Sequence, residues 1–212
     1  MDNVIYIVFS ATPTGMGKVI RGATRNQYNH VSLSFQEDIG KMYSFARYYR
    51  RIPLYGGFVE ESILRYSSFQ GGARVKICRL PVTADQLNYL RGYIARLEWE
   101  GERYLYNTPE AVLSLLHQSF PLPKAHTCVS FVAGILERYH LAGAEETPCH
   151  TIRQLEELLE DYVIYAGGLP APDQGGRWGN DAFQRETTIR YGVYTTARHF
   201  GRLAKRALLG EV

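Results

Sequence analysis

The chain has 212 residues, of which 45% are hydrophobic and 21% are charged. These values are typical of a globular chain with a substantial core, and they exclude wholesale disorder. The longest apolar run, residues 4–9, is far too short to cross a bilayer, and we expect no signal peptide. Three widely spaced cysteines argue against a disulfide scaffold, so we expect a reducing, cytoplasmic location.

The net charge of +3 belongs entirely to the C-terminal part of the chain. From Gly168 onward, seven Lys and Arg residues outnumber four Asp and Glu residues, so residues 1–167 are neutral overall. This excess is too small to indicate a nucleic-acid partner, and the sixteen tyrosines follow no stacking motif. We therefore expect no nucleic acid among the partners.

Strands are predicted mainly in the first part of the chain and helices later. Apolar or alternating runs predict strands over residues 4–9, 30–35, 41–45, 57–64 and 73–80. Capping residues and helical spacing predict helices that begin near residues 83–85, 107, 128 and 151, before a short strand over residues 162–166. This order predicts an α+β fold rather than alternating βαβ units.

The last part of the chain is predicted to be an appendage of residues 167–212. Residues 167–181 are rich in Gly and Pro, which is typical of a linker. Beyond them an apolar stripe with helical spacing consists of Ile189, Val193, Phe200, Leu203 and Leu208. We expect a basic amphipathic helix that docks this stripe on the main domain. A helix that binds a membrane surface or a partner helix is the alternative.

Cys128 is the first candidate for chemistry. It follows a proline-containing loop and Thr127, a typical N-cap residue, so it is predicted to begin a helix. The backbone N–H groups and the positive dipole end at that position stabilise a thiolate, which is the reactive form of cysteine. A buried structural cysteine is the alternative, since a nucleophile also needs a base or a charged partner.

His30 is the candidate partner of Cys128. It begins a predicted strand, where a side chain can be held rigidly. A lone histidine there is more often an ordinary surface group. Paired with a cysteine at a helix start, however, it fits a Cys–His site, whose members are neighbours in space and not in sequence.

Three short segments resemble the circularly permuted branch of the NlpC/P60 papain-like superfamily. They are NHVSLSF at residues 29–35, KMYSF at residues 41–45 and TCVSFVA at residues 127–133, and residues 104–107 also resemble the segment before the cysteine helix. In that branch a histidine at a strand start precedes the cysteine that begins a helix. The resemblance covers residues 3–166, which makes residues 1–166 the expected catalytic domain, and it does not explain the appendage.

The resemblance implies a papain-like fold, in which an antiparallel sheet packs against the helix that begins at Cys128. It implies that Cys128 attacks a carbonyl carbon as a thiolate, while His30 holds the thiolate and then protonates the leaving group. The backbone N–H of Cys128 would belong to the oxyanion hole. The family's substrates are amide or ester bonds in peptides, peptidoglycan fragments or lipids, and the reaction uses no cofactor.

The residue that orients His30 is open between two candidates. The family usually places a polar residue, often a second histidine, on the strand after the first histidine. Ser44 lies at about that position, and Glu61 can supply a charge from the next predicted strand. A serine orients an imidazole more weakly than a carboxylate does, so a non-catalytic descendant of the family is a further alternative.

A zinc site is the main rival use of the cysteines and histidines. His126 with Cys128 and Cys149 with His150 form two pairs. A structural zinc ion needs four converging ligands, whereas adjacent residues point their side chains apart, so we expect no metal. The remaining histidines are expected to be ordinary surface residues: His117, His140 and His199.

The sequence thus predicts a cytoplasmic cysteine hydrolase or acyltransferase of the permuted NlpC/P60 type. Cys128 and His30 would carry the reaction, assisted by Ser44 or Glu61, on a peptide, a peptidoglycan fragment or a lipid. The competing hypothesis is a binding or scaffold protein that keeps the papain-like fold without the chemistry. Such a protein would associate with a membrane surface through the C-terminal helix.

Overall fold

The computed structural model describes residues 3–12, 17–18, 21–22, 26–62, 65, 73–114, 118–169, 183 and 185–210. This part of the chain contains one mixed sheet of eight strands and five α-helices. The α+β class predicted from the sequence is therefore confirmed.

The sheet has the strand order β7-β6-β4-β3-β2-β1-β5-β8. Neighbouring strands are antiparallel, except that β6 and β7 are parallel. In chain order the strands are β1 (Val4–Ala11), β2 (His30–Ser34), β3 (Met42–Tyr49), β4 (Ile52–Glu61), β5 (Arg74–Pro81), β6 (Leu105–Tyr106), β7 (Ala125–His126) and β8 (Val163–Gly168).

The helices begin where the sequence places capping residues. Thr83, Thr127 and Thr151 each form a capping box, in which the hydroxyl accepts the N–H of the residue three positions later and that residue's side chain accepts the cap's own N–H. Asn107 caps a further short helix. The helices are α1 (Ala84–Glu100), α2 (Thr108–Leu113), α3 (Cys128–Arg138), α4 (Ile152–Leu158) and α5 (Ile189–Leu209).

The two faces of the sheet bury different side chains because residues alternate along each strand. Val31, Leu33 and Phe45 belong to the larger core, which also takes the apolar sides of α1 and α3. A smaller core on the other face contains Val8 and Met42. On that second face β2 also buries the polar residues His30, Ser32 and Ser34, and β3 buries Ser44. His30, Ser32 and Ser44 form part of the site described below.

The hairpin of β3 and β4 is longer than predicted. The two strands meet at the pair Tyr49 and Ile52, so β4 begins five residues earlier than the predicted start at residue 57 and ends at Glu61. This extension was not predicted because residues 47–53 are basic, contain a proline and lack the apolar alternation that predicts a strand. A side chain at Gly56 would collide with the backbone of Ala46, so the close hairpin requires glycine there.

The C-terminal helix docks by a different face from the predicted one. Of the predicted stripe only Leu203 is buried, whereas the exposed fractions of Ile189, Val193 and Leu208 are 86%, 66% and 82%. The expectation that the apolar stripe packs on the domain is therefore wrong. The buried residues of α5 are Thr195, His199, Leu203 and Arg206.

Polar side chains hold α5 in place. Three of them donate hydrogen bonds to backbone carbonyls around β6 and β7, which explains why a polar face can be buried here. His199 is one of them and is 1% exposed, so its expected surface position is wrong. The pairs are His199 with Tyr106 (3.0 Å), Arg206 with Lys124 (2.8 Å) and Arg202 with Glu102 (2.6 Å).

The predicted linker falls largely outside the described residues. Its first two residues, Gly167 and Gly168, belong to β8, and residues 170–182 are not described. Among the helices that are described, none combines the length and the apolar character needed to cross a membrane.

Candidate active site

The site is built around an ion pair between His30 and Glu61. His30 begins β2 and Glu61 ends β4, and the Nε2 atom of His30 lies 2.9 Å from Oε1 and 3.1 Å from Oε2 of Glu61. Both residues are buried, with exposed fractions of 8% for His30 and 1% for Glu61. A buried charge needs a partner, and here each residue supplies it for the other.

Two serines complete the surroundings of the carboxylate. Ser44 on β3 donates its hydroxyl to Oε1 of Glu61, and its Oγ also lies 3.3 Å from Nε2 of His30. Ser32 on β2 donates to Oε2 of Glu61 at 3.2 Å. Glu61 is therefore the group that holds His30, and Ser44 supports both from the strand between them.

Arg65 adds a second positive charge to the carboxylate. Its Nη1 lies 3.3 Å from Oε1 of Glu61. The guanidinium lies 4.7 Å from the ring centroid of Phe183, which also lies 5.5 Å from the guanidinium of Arg47. Phe183 comes from the segment before α5, so a residue of the appendage packs on the arginine that pairs with Glu61.

Cys128 is the first residue of α3. Thr127 accepts the N–H of Ser130 at 3.0 Å, and Ser130 accepts the N–H of Thr127 at 2.9 Å. This cap fixes the direction in which the helix starts and places Cys128 among the first N–H groups, which have no acceptor within the helix. The thiol is 6% exposed, and the position predicted from the sequence is confirmed.

The structure brings the Cys128 side chain to the imidazole of His30. Burial acts to lower the pKa of His30, but the charge of Glu61 and the hydrogen bond with Cys128 outweigh it and raise the pKa to about 10. Burial likewise acts to raise the pKa of Glu61, but the charges of His30 and Arg65 hold it well below its usual range. Near neutral pH the pair is therefore an imidazolium and a carboxylate.

Tyr106 on β6 is close enough to Cys128 for the two groups to interact electrostatically. Burial, followed by the charge of Cys128, raises the pKa of the Tyr106 phenol, so this group keeps its proton. A protonated phenol is a hydrogen-bond donor. Tyr106 lies in the segment 104–107 that resembles the family, although no role was predicted for it.

The other two cysteines have pKa values that burial controls. Burial raises the pKa of Cys78 to about 12, and burial alone raises the pKa of Cys149. Cys149 is 7% exposed, almost the same as Cys128, so exposure does not distinguish the two thiols. The two thiols differ in their surroundings, because His30 lies beside Cys128.

The four residues of the rival zinc hypothesis do not form a ligand set in the structure. In the described part of the chain, no group of three or more His, Cys, Asp and Glu side chains is placed to hold a metal ion. His126 instead packs edge-on against Phe45, with the ring centroids 5.0 Å apart, and burial lowers its pKa to about 4. The ring is therefore neutral near pH 7.

All four residues proposed from the sequence lie together: Cys128, His30, Ser44 and Glu61. The sequence left the choice between Ser44 and Glu61 open, and the contacts assign the direct bond with His30 mainly to Glu61. Ser32, Arg65 and Phe183 were missed. Alternation in β2 puts Ser32 on the side of His30, which is a signal that was present, whereas nothing local marks Phe183.

Neither a protein-family model, nor a curated protein, nor a solved structure matches the chain.

Proposed function

We propose that the protein is a cysteine hydrolase that cleaves an amide or ester bond through Cys128, His30 and Glu61. The observation that carries the proposal is the position of His30, which contacts a helix-start thiol and a buried carboxylate at the same time. This is the arrangement that a nucleophile, its acid–base partner and an orienting group require. We further propose that the fold is papain-like, of the permuted NlpC/P60 branch.

In the first half of the proposed reaction, Cys128 acts as the nucleophile. The Cys128 thiolate, paired with the His30 imidazolium, attacks the carbonyl carbon and forms a carbon–sulfur bond. The Cys128 N–H at the start of α3 stabilises the oxyanion, and the Tyr106 hydroxyl is a second available donor. As the bond to the amine or alcohol breaks, His30 gives its proton to that leaving group, which leaves an acyl-thioester.

The second half restores the enzyme. Neutral His30 takes a proton from water, and the resulting hydroxide attacks the thioester carbonyl. The carbon–sulfur bond breaks, the acid product leaves, and Cys128 and His30 return to the thiolate and imidazolium. Throughout, Nε2 of His30 stays on Glu61, so that Nδ1 is the nitrogen that serves Cys128. An alcohol or amine acceptor in place of water would make the same site an acyltransferase.

The substrate class is a peptide, a peptidoglycan fragment or a lipid ester or amide, as the resemblance implies. The three cysteines are all unpaired and buried. A reducing compartment such as the cytoplasm preserves that state, and we propose it as the location.

Site-resolved alkylation tests the activated pair before any substrate is known. Iodoacetamide labelling of wild type, His30→Ala and Glu61→Gln is followed by mass spectrometry across neutral and mildly acidic pH. Cys149 is the internal control, because its exposure of 7% matches the 6% of Cys128. We expect Cys128 to react at least about tenfold faster than Cys149 near pH 6, and to lose that advantage in both variants.

Turnover is then tested by screening amide and ester substrates with wild type and Cys128→Ala. We expect hydrolysis that disappears in Cys128→Ala and falls by about 100-fold or more in His30→Ala. Equal labelling of Cys128 and Cys149, or labelling indifferent to His30, overturns the catalytic proposal. The protein would then be a binding module that retains a catalytic geometry.

A further inference from the structure

The outward face of α5 is an apolar stripe, which we call the outer stripe and define as Ile189, Val193, Ala197, Phe200, Ala204 and Leu208. These residues follow one another at intervals of four, four, three, four and four positions, which is the spacing of one helix face. All six are exposed, with fractions of 86% for Ile189 and 82% for Leu208. Within the described residues the protein therefore buries a polar face of α5 and presents an apolar one.

The charge of α5 has a single sign. The 21 residues of the helix include five basic residues and no acidic residue. Arg190, Arg198 and Lys205 are exposed, and their helical positions place them along one edge of the outer stripe. On the far side of these basic residues lies the face of α5 that docks on the domain. Around the helix, the outer stripe is therefore followed by the basic residues and then by the docked face.

From this pattern we infer that α5 binds the surface of an anionic lipid bilayer. The outer stripe would enter the boundary between headgroups and acyl chains, and the adjoining Arg and Lys side chains would lie at the level of the lipid phosphates. A helix with a large apolar face, basic flanking residues and no acidic residue has the chemistry of interfacial membrane binding. The inference concerns a surface other than the proposed active site.

A second copy of the chain fits this face less well. Pairing two outer stripes would bring together two helices with five basic residues each and no acidic residue between them. Like charges at that distance repel, whereas anionic lipid headgroups attract the same residues. The charge of the helix therefore favours a lipid surface over self-association.

The docking of α5 makes the helix a rigid anchor. His199, Arg202 and Arg206 hold it by hydrogen bonds to backbone carbonyls, and Leu203 packs with Leu105 and Ala125. Because these contacts use only the inward face, the outer stripe can enter a membrane without undocking the helix. Binding would thus hold the whole domain in one orientation on the bilayer.

Vesicle co-sedimentation of the full chain tests the inference. The vesicles contain either phosphatidylcholine alone or phosphatidylcholine mixed with phosphatidylglycerol. We expect binding to the mixed vesicles that is at least about tenfold tighter than binding to the neutral ones and that weakens with salt. The variant Ile189→Ser/Val193→Ser/Leu208→Ser should lose that binding, and Arg190→Gln/Arg198→Gln should reduce the preference for anionic lipid.

Two controls separate the outcomes. Trp99→Ser removes an apolar side chain that is 91% exposed on α1, and it should leave vesicle binding unchanged. Cys128→Ser should bind vesicles like wild type, so that a failure of the catalytic proposal leaves this test intact.

Wild-type protein that binds neither kind of vesicle overturns the inference, as does a triple-serine variant that is folded by circular dichroism and still binds. A dimer that the triple-serine change dissociates, without vesicle binding, would assign the stripe to self-association.

Discussion

Glu61 holds Nε2 of His30 with both carboxylate oxygens, at 2.9 and 3.1 Å, from a strand two places away in the sheet. The strand between them, β3, contributes Ser44, which contacts both residues. An imidazole held in this way has one nitrogen fixed and one nitrogen left for chemistry. The geometry thus separates the orienting role of Glu61 from the supporting role of Ser44.

Substitution of Glu61 and substitution of Ser44 should have unequal effects on the alkylation rate of Cys128. Glu61→Gln removes the charge that keeps His30 protonated, so we expect the alkylation rate of Cys128 near pH 6 to fall by about tenfold or more. Ser44→Ala removes the hydroxyl that contacts Glu61 and His30 but leaves the charge of Glu61 in place, so it should cost only a fewfold change. Rates are measured by mass spectrometry against Cys149 in the same sample. A larger loss in Ser44→Ala would assign the orienting role to the serine.

The stability of the protein should depend on pH through His30. Its folded pKa of about 10 lies above the ordinary value of 6.5. The group therefore contributes its full stabilisation below about pH 6.5, and that contribution is lost as the pH rises toward the folded value. We expect the difference in unfolding free energy between wild type and His30→Gln to shrink by up to about 1.4 kcal/mol per pH unit above neutrality.

Urea unfolding of wild type and His30→Gln at several pH values measures this difference. His150→Gln, a change at an exposed histidine, is the matched control and should show no such trend. A difference that stays constant from about pH 7 to about pH 9 would contradict the ion pair with Glu61.

Phe183 should act on the site through Arg65. Its ring packs on the Arg65 guanidinium, which pairs with Glu61. Phe183→Ala removes the aromatic ring that packs on the Arg65 guanidinium. It should reduce the ratio of the alkylation rates of Cys128 and Cys149 by about two- to fivefold, the range expected for one cation–π contact. The measurement is the alkylation rate of Cys128 as a function of pH, because a change that only destabilised the fold would not alter this profile. Phe200→Ala, a change in the outer stripe, is the control and should leave the profile unaltered.

Gly56 should be intolerant of any side chain. An added Cβ would collide with the carbonyl of Ala46, so Gly56→Ala should destabilise the protein by about 1–3 kcal/mol. Gly92 on α1 has open space at the corresponding position, and Gly92→Ala should stabilise by about 0.5–1 kcal/mol instead. Chemical denaturation of both variants measures the contrast. Equal stabilities would show that the hairpin of β3 and β4 relaxes around the added methyl group.

Several features of the fold were visible in the sequence because their signals are local. Threonine caps followed by helical spacing located the starts of α1, α3 and α4, and alternation located β2. Cys128 and His30 stood out for the same reason, since a helix start and a strand start are recognisable from a few neighbouring residues. The extension of β3 and β4 was not visible, because its basic residues carry no apolar alternation.

Local sequence patterns were enough to establish that Cys128 begins a helix, that His30 begins a strand and that α5 has one apolar face. That Glu61 reaches His30 across β3 emerged only in three dimensions, because strand order and register depend on distant segments. The same is true of the buried face of α5. An apolar stripe shows that a helix has two different sides, but the hydrogen bonds of His199 and Arg206 with backbone carbonyls turned the polar side inward.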